Sequence, residues 1–539
     1  MISGFTKKIV LLLLYFIISQ TNMAQDLKPY IIIIQPIILQ SDNGTNPASM
    51  ALPENLLDRA YEKAELDFYF LEPIYYNNTE ARDGVISLDK IVELAKNDGI
   101  LKGNGDIVNM FFVNAVDGNK GPLGRGMMGS YISFICLGDG NENDANYKNM
   151  QAFVIAHEIG HNLSLKHVVD DPNICDTISN IEGDGDYKDR IDPKYSLTDY
   201  QVKVIHESPL VHPRIELLSK KDAKEAILDE TFEAYFSQLQ ETEISVFIQE
   251  RVSNPDIETS RNYARKRFSD AVIDFSVEEK KCINFVINRI NKTLIDNKLN
   301  TMANHPWRLI KIDDWLCGGF AHTRGTYIII SKLHIEYLSK SWSENMTAED
   351  EEILIEKFGA LLVHEQLHSL QRTYKSKFID LYTNYWNFIE SDSIESDISI
   401  NKIQVSNPDA PIAEWLIPDP KDGTKYYWLR TLIKENNNDI PIMGKDFTDR
   451  VFVLSKNNNR YSLKRDSENK PISLSLNDIS FYSKSYPASR GIDHPNEISA
   501  YMFSDYFVSL LNKKQAFPDK EVPSYNNSQL FVDWIKNEM

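Results

Sequence analysis

Positive charge is scarce in this 539-residue sequence: 58 Lys+Arg stand against 78 Asp+Glu, a net charge of −20. That balance excludes a nucleic-acid partner, whose affinity rests on basic residues facing phosphates. It also excludes attachment to a membrane through a polybasic surface. Long apolar runs are missing past the N-terminal segment, and a bilayer-spanning helix needs about 20 such residues, so no stable membrane insertion is expected. There is no tandem repeat and no low-complexity tract. Cysteine is rare as well, with 4 residues that allow three connectivities. What remains is an ordinary globular composition, 42% hydrophobic with 23 Gly and 22 Pro. At about 100–200 residues per domain, the length predicts two to four folded units.

The N-terminus reads as a signal peptide. Lys7 and Lys8 precede an apolar run over 9–18, and the small residue Ala24 follows a polar stretch. Cleavage near Ala24 predicts a secreted or periplasmic protein. Pairing Cys136 with Cys175 and Cys282 with Cys317 keeps each disulfide within one half of the chain; four buried free thiols are the alternative.

Residues 30–39 (YIIIIQPIIL) have the continuous apolar character of a buried strand, and further strands are expected at 107–116, 130–137 and 326–331. Helices are predicted over 53–66, 149–163, 222–251, 277–295, 351–372 and 496–511. The Asn/Asp/Pro/Lys-rich stretches 418–423 and 456–470 read as surface insertions.

The informative segment is His157-Glu158-Ile159-Gly160-His161, followed by His167. Positions i and i+4 share one face of a helix, so His157 and His161 can present two imidazoles to one ion. His167 joins them only if the chain turns back just after Leu163. Three neutral imidazoles and an open position suit a catalytic zinc. Glu158 adjoins the first of them and is placed to take a proton from a metal-bound water.

These residues resemble the metzincin metallopeptidases, whose pattern is HExxHxxGxxH. The resemblance implies that His157, His161 and His167 are zinc ligands and Glu158 the general base. Ser164 stands where that pattern has Gly, and Ile191 where the family places a Met beneath the metal. Tyr195 reads as a surface-loop residue, and the acidic loop 184–192 as solvated instead of calcium-binding.

The same spacing recurs at His364-Glu365-Gln366-Leu367-His368, on a helix whose Phe358, Leu361, Leu362, Leu367 and Leu370 face a core. No third His follows closely. Glu497, in His494-Pro495-Asn496-Glu497, begins a later helix in a manner that resembles the gluzincin metallopeptidases. That likeness implies a zinc ligand at Glu497 and a general base at Glu365. An ordinary carboxylate at a helix N-terminus is the rival reading. The strands at 327–331 and 131–137 are candidates for the edge strand that pairs with an extended substrate, or are internal. His305, His322 and His334 read as surface or hydrogen-bonded residues.

Following the signal peptide (1–24), the two resemblances imply an α+β chain with a metzincin-like domain (25–215) and a gluzincin-like domain (216–539). Each would be a small mixed sheet packed on helices, with one Zn2+ per domain. The implied function is a zinc metalloendopeptidase acting on protein or peptide substrates. One domain could instead be an inactive relative, or both sites could be structural in a secreted binding protein.

Overall fold

A computed structural model of the chain describes residues 27–539 except 121–122, 139–143, 175–179, 184–195, 255, 411–414, 435–438, 458–459, 487–490, 515–516 and 518–526. The signal peptide, Cys175, the loop 184–192, Ile191 and Tyr195 therefore lie outside the described residues. The fold is α+β. No described helix is long and apolar enough to cross a membrane.

The first sheet has the strand order β2-β1-β4-β6-β5, built from β1 (Tyr30–Gln40), β2 (Leu66–Phe70), β4 (Val108–Phe112), β5 (Leu123–Gly126) and β6 (Ile132–Cys136). β3 (Ile74–Asn77) extends it in parallel with β1, and β7 (Val211–Pro213) pairs antiparallel with the other end of β1. β1, β2, β4 and β6 run parallel; β5 is an antiparallel edge. The interior strands are apolar on both faces because both are covered. Ile32, Ile34 and Ile38 of β1 join one core, while Ile37 and Leu39 join another. The short helix α1 (Glu54–Ala60) and the long helix α2 (Ala145–Asn162) pack on the first of these cores. The helix expected over 53–66 ends at Ala60; a 3-10 turn at Glu62–Ala64 follows, Glu65 turns left-handed (φ 49°) and Leu66 opens β2.

The chain then changes sheets at Arg214, passing from β7 to β8 (Ile215–Leu217). The second sheet repeats the plan in the order β11-β12-β10-β8, with β10 (Trp307–Ile312) and β12 (Tyr327–Ser331) parallel and β11 (His322–Arg324) an antiparallel edge. β9 (Val272–Ile273) pairs with β10. Trp307, Leu309, Ile328 and Ile330 face one core, and Ile310, Ile312 and Ile329 the other. Helices α3 (Val277–Asp296), α4 (Ala360–Thr373) and α5 (Pro495–Leu511) fill the first. α4 continues from a helical stretch that begins at Ala348 and passes through one π-helical turn at Ile355–Gly359. Between α4 and α5 lies an antiparallel sheet, β13 to β18, spanning residues 389–474. The expected insertion at 418–423 falls between β14 (Trp415–Pro418) and β15 (Lys425–Ile433), but the one expected at 456–470 is corrected: it contains the end of β16 (Phe447–Asn457) and the paired strand β17 (Arg460–Leu463).

Of the two readings of the strands at 131–137 and 327–331, the internal one holds; the edges beside the site helices are β5 and β11. Two further expectations are corrected. The helix over 222–251 is two helices, Lys220–Ala226 and Glu241–Ile248. Glu230 Oε1 accepts the backbone N–H of Tyr235 and of Phe236 at 2.8 and 2.9 Å, competing with helical bonding there. Cys282 and Cys317 are both free, since one lies in the core on one face of the second sheet and the other in the core on the opposite face.

The two halves meet through buried polar contacts. Arg308 of β10 donates to Asp106 Oδ2 at 2.7 Å and to Glu216 Oε2 at 2.8 Å. Tyr69 of β2 bonds His305 Nδ1 at 2.7 Å, and His305 Nε2 bonds Ser369 Oγ at 2.7 Å, next to His368 on α4. His305 thus has the hydrogen-bonded role expected of it.

Candidate metal centres

Helix α2 begins at its cap Asp144, whose side chain accepts Asn146 N–H, and ends at Leu163. Ser164 then takes φ 70°, the left-handed geometry that the resemblance assigns to Gly. Ser164 N–H donates to His161 O and Leu165 N–H to Gly160 O, and this turn sends the chain back over the helix. His167 consequently joins the pair. His161 Nε2 lies 3.1 Å from His167 Nε2, which lies 3.2 Å from His157 Nε2.

Nδ1 of His157 donates to Ile181 O at 2.9 Å and Nδ1 of His161 to Leu165 O at 2.8 Å. These bonds fix the tautomer in which the Nε2 lone pairs point at one centre. Zinc–nitrogen bonds of about 2.0–2.1 Å in a tetrahedron place ligand nitrogens about 3.3 Å apart, and the observed spacing fits. Burial lowers the pKa of His161, keeping it neutral and able to ligate.

Glu158 lies on the cleft side. Its Oε2 accepts the backbone N–H of Gly126 on β5 at 2.5 Å, leaving Oε1 for other work. Burial pushes its carboxyl up to about 7, against the Gly126 bond and Arg125. β5 comes this close because Gly124 and Gly126 have no side chains: a Cβ on either would overlap Glu158. Leu123 to Gly126, Phe153, His157, Glu158 and His167 line an open cleft of about 850 Å³.

Sequence reasoning missed Glu182. It is fully buried, its carboxylate accepts no hydrogen bond among the described residues, and Oε2 lies 3.5 Å from Nδ1 of both His157 and His161. Burial, then Glu158, raises its pKa well above the usual range. A cation at the three Nε2 atoms would favour its ionised form, so a buried anion stands behind the neutral imidazoles on their Nδ1 side. The available signal was Gly160, a helix-interior glycine with no other local purpose.

The second centre is built on α4 and α5. His364 Nε2 and His368 Nε2 are 3.2 Å apart; Glu497 Oε2 lies 3.5 Å from the first and Oε1 3.8 Å from the second. The three side chains form one candidate ligand set. Glu497 follows the cap His494 and Pro495 at the start of α5. Gln371 joins the helices: its Oε1 faces His368 Nδ1 at 2.9 Å while its amide donates to Asn496 O and Ser499 Oγ. Burial drives His368 down to about 3, so it stays neutral. Burial opposes ionisation of Glu497 too, yet its contacts with His368 and His364 and the bond from Asn407 hold the carboxyl below the usual carboxylate range.

Glu365 accepts Thr323 Oγ1 from edge strand β11 at 3.0 Å, the counterpart of the Glu158–Gly126 contact. Burial, Asp409 and Glu497 raise its pKa well above the usual range. The two centres differ in access. The side chains of His157 and His167 are 17% and 42% exposed, whereas His364, His368, Glu365 and Glu497 are all buried. His322 and His334 take hydrogen bonds to Phe320 O and Ser331 Oγ and join neither centre.

No family model and no curated protein matches the chain. Among solved structures it is similar to archaemetzincin from Methanopyrus kandleri, at 13% identity and TM-score 0.23 over 33% of this chain and 94% of that one. It is also similar to metalloproteinase-II from Bacteroides fragilis, at 12% identity and TM-score 0.23 over 34% of this chain and 54% of that one.

Proposed function

We propose that this chain is an exported zinc metalloendopeptidase with two zincin-like halves, the first of which carries turnover in the resting protein. The observation that supports this reading most is the convergence of three Nε2 atoms within 3.1–3.2 Å neighbour spacings on the floor of an open cleft, with Glu158 beside them. His157, His161 and His167 would hold one Zn2+, and His364, His368 and Glu497 a second. Zinc in such a site supplies a Lewis acid that acidifies bound water and polarises a carbonyl.

The protein's own residues do the rest. The free edge of β5 offers backbone groups to an extended peptide. Gly126 N–H anchors one oxygen of Glu158, so that the other takes and delivers a proton in a fixed direction. A carboxyl raised to about 7 can do both near neutral pH.

Hydrolysis of a mixed peptide library tests this. Glu158→Gln should keep two zinc ions per chain while cleavage falls by about 10²–10⁴-fold, the usual worth of a general base. Unchanged cleavage at full zinc content would refute it.

A further inference from the structure

The chain's own segment Val405–Ala410 lies across the second centre. It carries no regular element longer than a turn, yet Val405, Ser406, Pro408, Asp409 and Ala410 are buried, where connecting segments ordinarily run over the surface. Its contacts fall on the parts of that centre. Asn407 Nδ2 donates to Glu497 Oε1 at 2.7 Å. Asp409 Oδ1 accepts the backbone N–H of Thr323, on the edge strand, at 2.6 Å. Arg372, one turn past His368 on α4, donates to Pro408 O at 3.0 Å and to Thr323 O at 3.4 Å. Asn496 Nδ2 donates to Asp409 O at 3.2 Å. The Asp409 carboxylate lies among Glu365 and His368, with ligand atoms all within 4.8 Å of one another.

The N–H of Thr323 is the edge group that an extended substrate would meet, and Asp409 already occupies it. The long interval between His368 and Glu497 accommodates the sheet β13–β18 that delivers the segment: Gln404 bridges Leu432, and Val405 N–H bonds Thr431 O.

Resting on the two-centre reading above, we propose that residues 405–410 are an internal strap that occupies the substrate side of the second centre, leaving it metal-competent but closed until the strap is displaced. Opening requires breaking the Asn407–Glu497 and Asp409–Thr323 contacts together, since Asn407 is held by helix α5 and Asp409 by edge strand β11.

The test uses the full chain loaded with zinc and carrying Glu158→Gln, which silences the first centre. Adding Asn407→Ala and Asp409→Ala should raise hydrolysis of a mixed peptide library at least tenfold, and Glu365→Gln should return it to background. An opened chain that folds, holds two zinc ions and shows no rise overturns the strap. Where the opened variants fail to fold, calorimetric titration of the unaltered zinc-loaded protein with a peptide hydroxamate decides. One equivalent, lost with His161→Ala, is expected; a second equivalent, or one that survives His161→Ala, overturns the proposal. Zinc content below two per chain in the unaltered protein would instead sink the two-centre reading, so the two failures are told apart.

Discussion

The carboxylate of Glu182 fills the space that a side chain at Gly160 would need, directly behind the imidazoles of His157 and His161. One helix position thus decides whether a buried anion can stand behind two metal-facing rings. Outer partners of metal-bound histidines are typically worth 10–100-fold in affinity. Gly160→Ala and Glu182→Gln should each weaken zinc binding at the first centre by about 10–100-fold, read by competition with a chromogenic chelator. Equal affinity in both variants would show that Glu182 is a bystander.

Gly124 of β5 leads to a prediction about rate. A Cβ there would lie 2.3 Å from Glu158 Cγ and displace the carboxylate without touching a histidine. Gly124→Ala should therefore lower kcat by about 10²-fold, the cost of roughly 1 Å of misplacement, while zinc content stays at two. Loss of zinc in step with activity would contradict this.

Acid should part the two halves. Burial raises the pKa of Glu216, but Arg308 and His212 outweigh it and hold the carboxyl at about 2; Asp106 is likewise held well below the usual range, chiefly by Arg308. A carboxylate depressed on folding contributes stability above its unfolded pKa of about 4 and loses it as pH falls toward the folded value. The melting temperature should drop between about pH 4 and pH 2. Arg308→Leu, which strands two half-buried carboxylates, should cost about 2–3 kcal/mol at pH 7 in denaturant titrations, below the loss expected for fully buried partners. It should also remove that part of the acid dependence. A flat profile between pH 4 and 2 in the unaltered protein would count against the network.

Cys282 and Cys317 supply a chemical check on the fold. Burial pushes the Cys282 thiol up to about 12 and Cys317 higher still. Neither should react with iodoacetamide in the native protein, and both should react after denaturation without reductant. Protection that persists in denaturant would restore the disulfide.

What was legible in the sequence was local. The spacing of His157 and His161, and of His364 and His368, sets a helix face within one turn and needs no partner segment. Glu497 was legible only through the resemblance of its helix start to the gluzincin pattern, since its distance along the chain from His368 carries no signal and a carboxylate at a helix N-terminus is ordinary. Edge strands were not legible, because Leu123–Gly126 and His322–Arg324 are shorter and less apolar than the internal strands beside them. Glu182, Thr323 and Asp409 act through contacts between segments far apart in the chain, where spacing carries no signal. The same holds for Glu230, whose carboxylate interrupts a stretch that composition alone reads as helix.

Zinc content bears most directly on the central claim that two separate side-chain sets each hold an ion. Emission spectrometry of the purified protein should give close to two zinc ions per chain, and close to one in both His161→Ala and His368→Ala. A value near zero in the unaltered protein, or two ions retained in either variant, would contradict it.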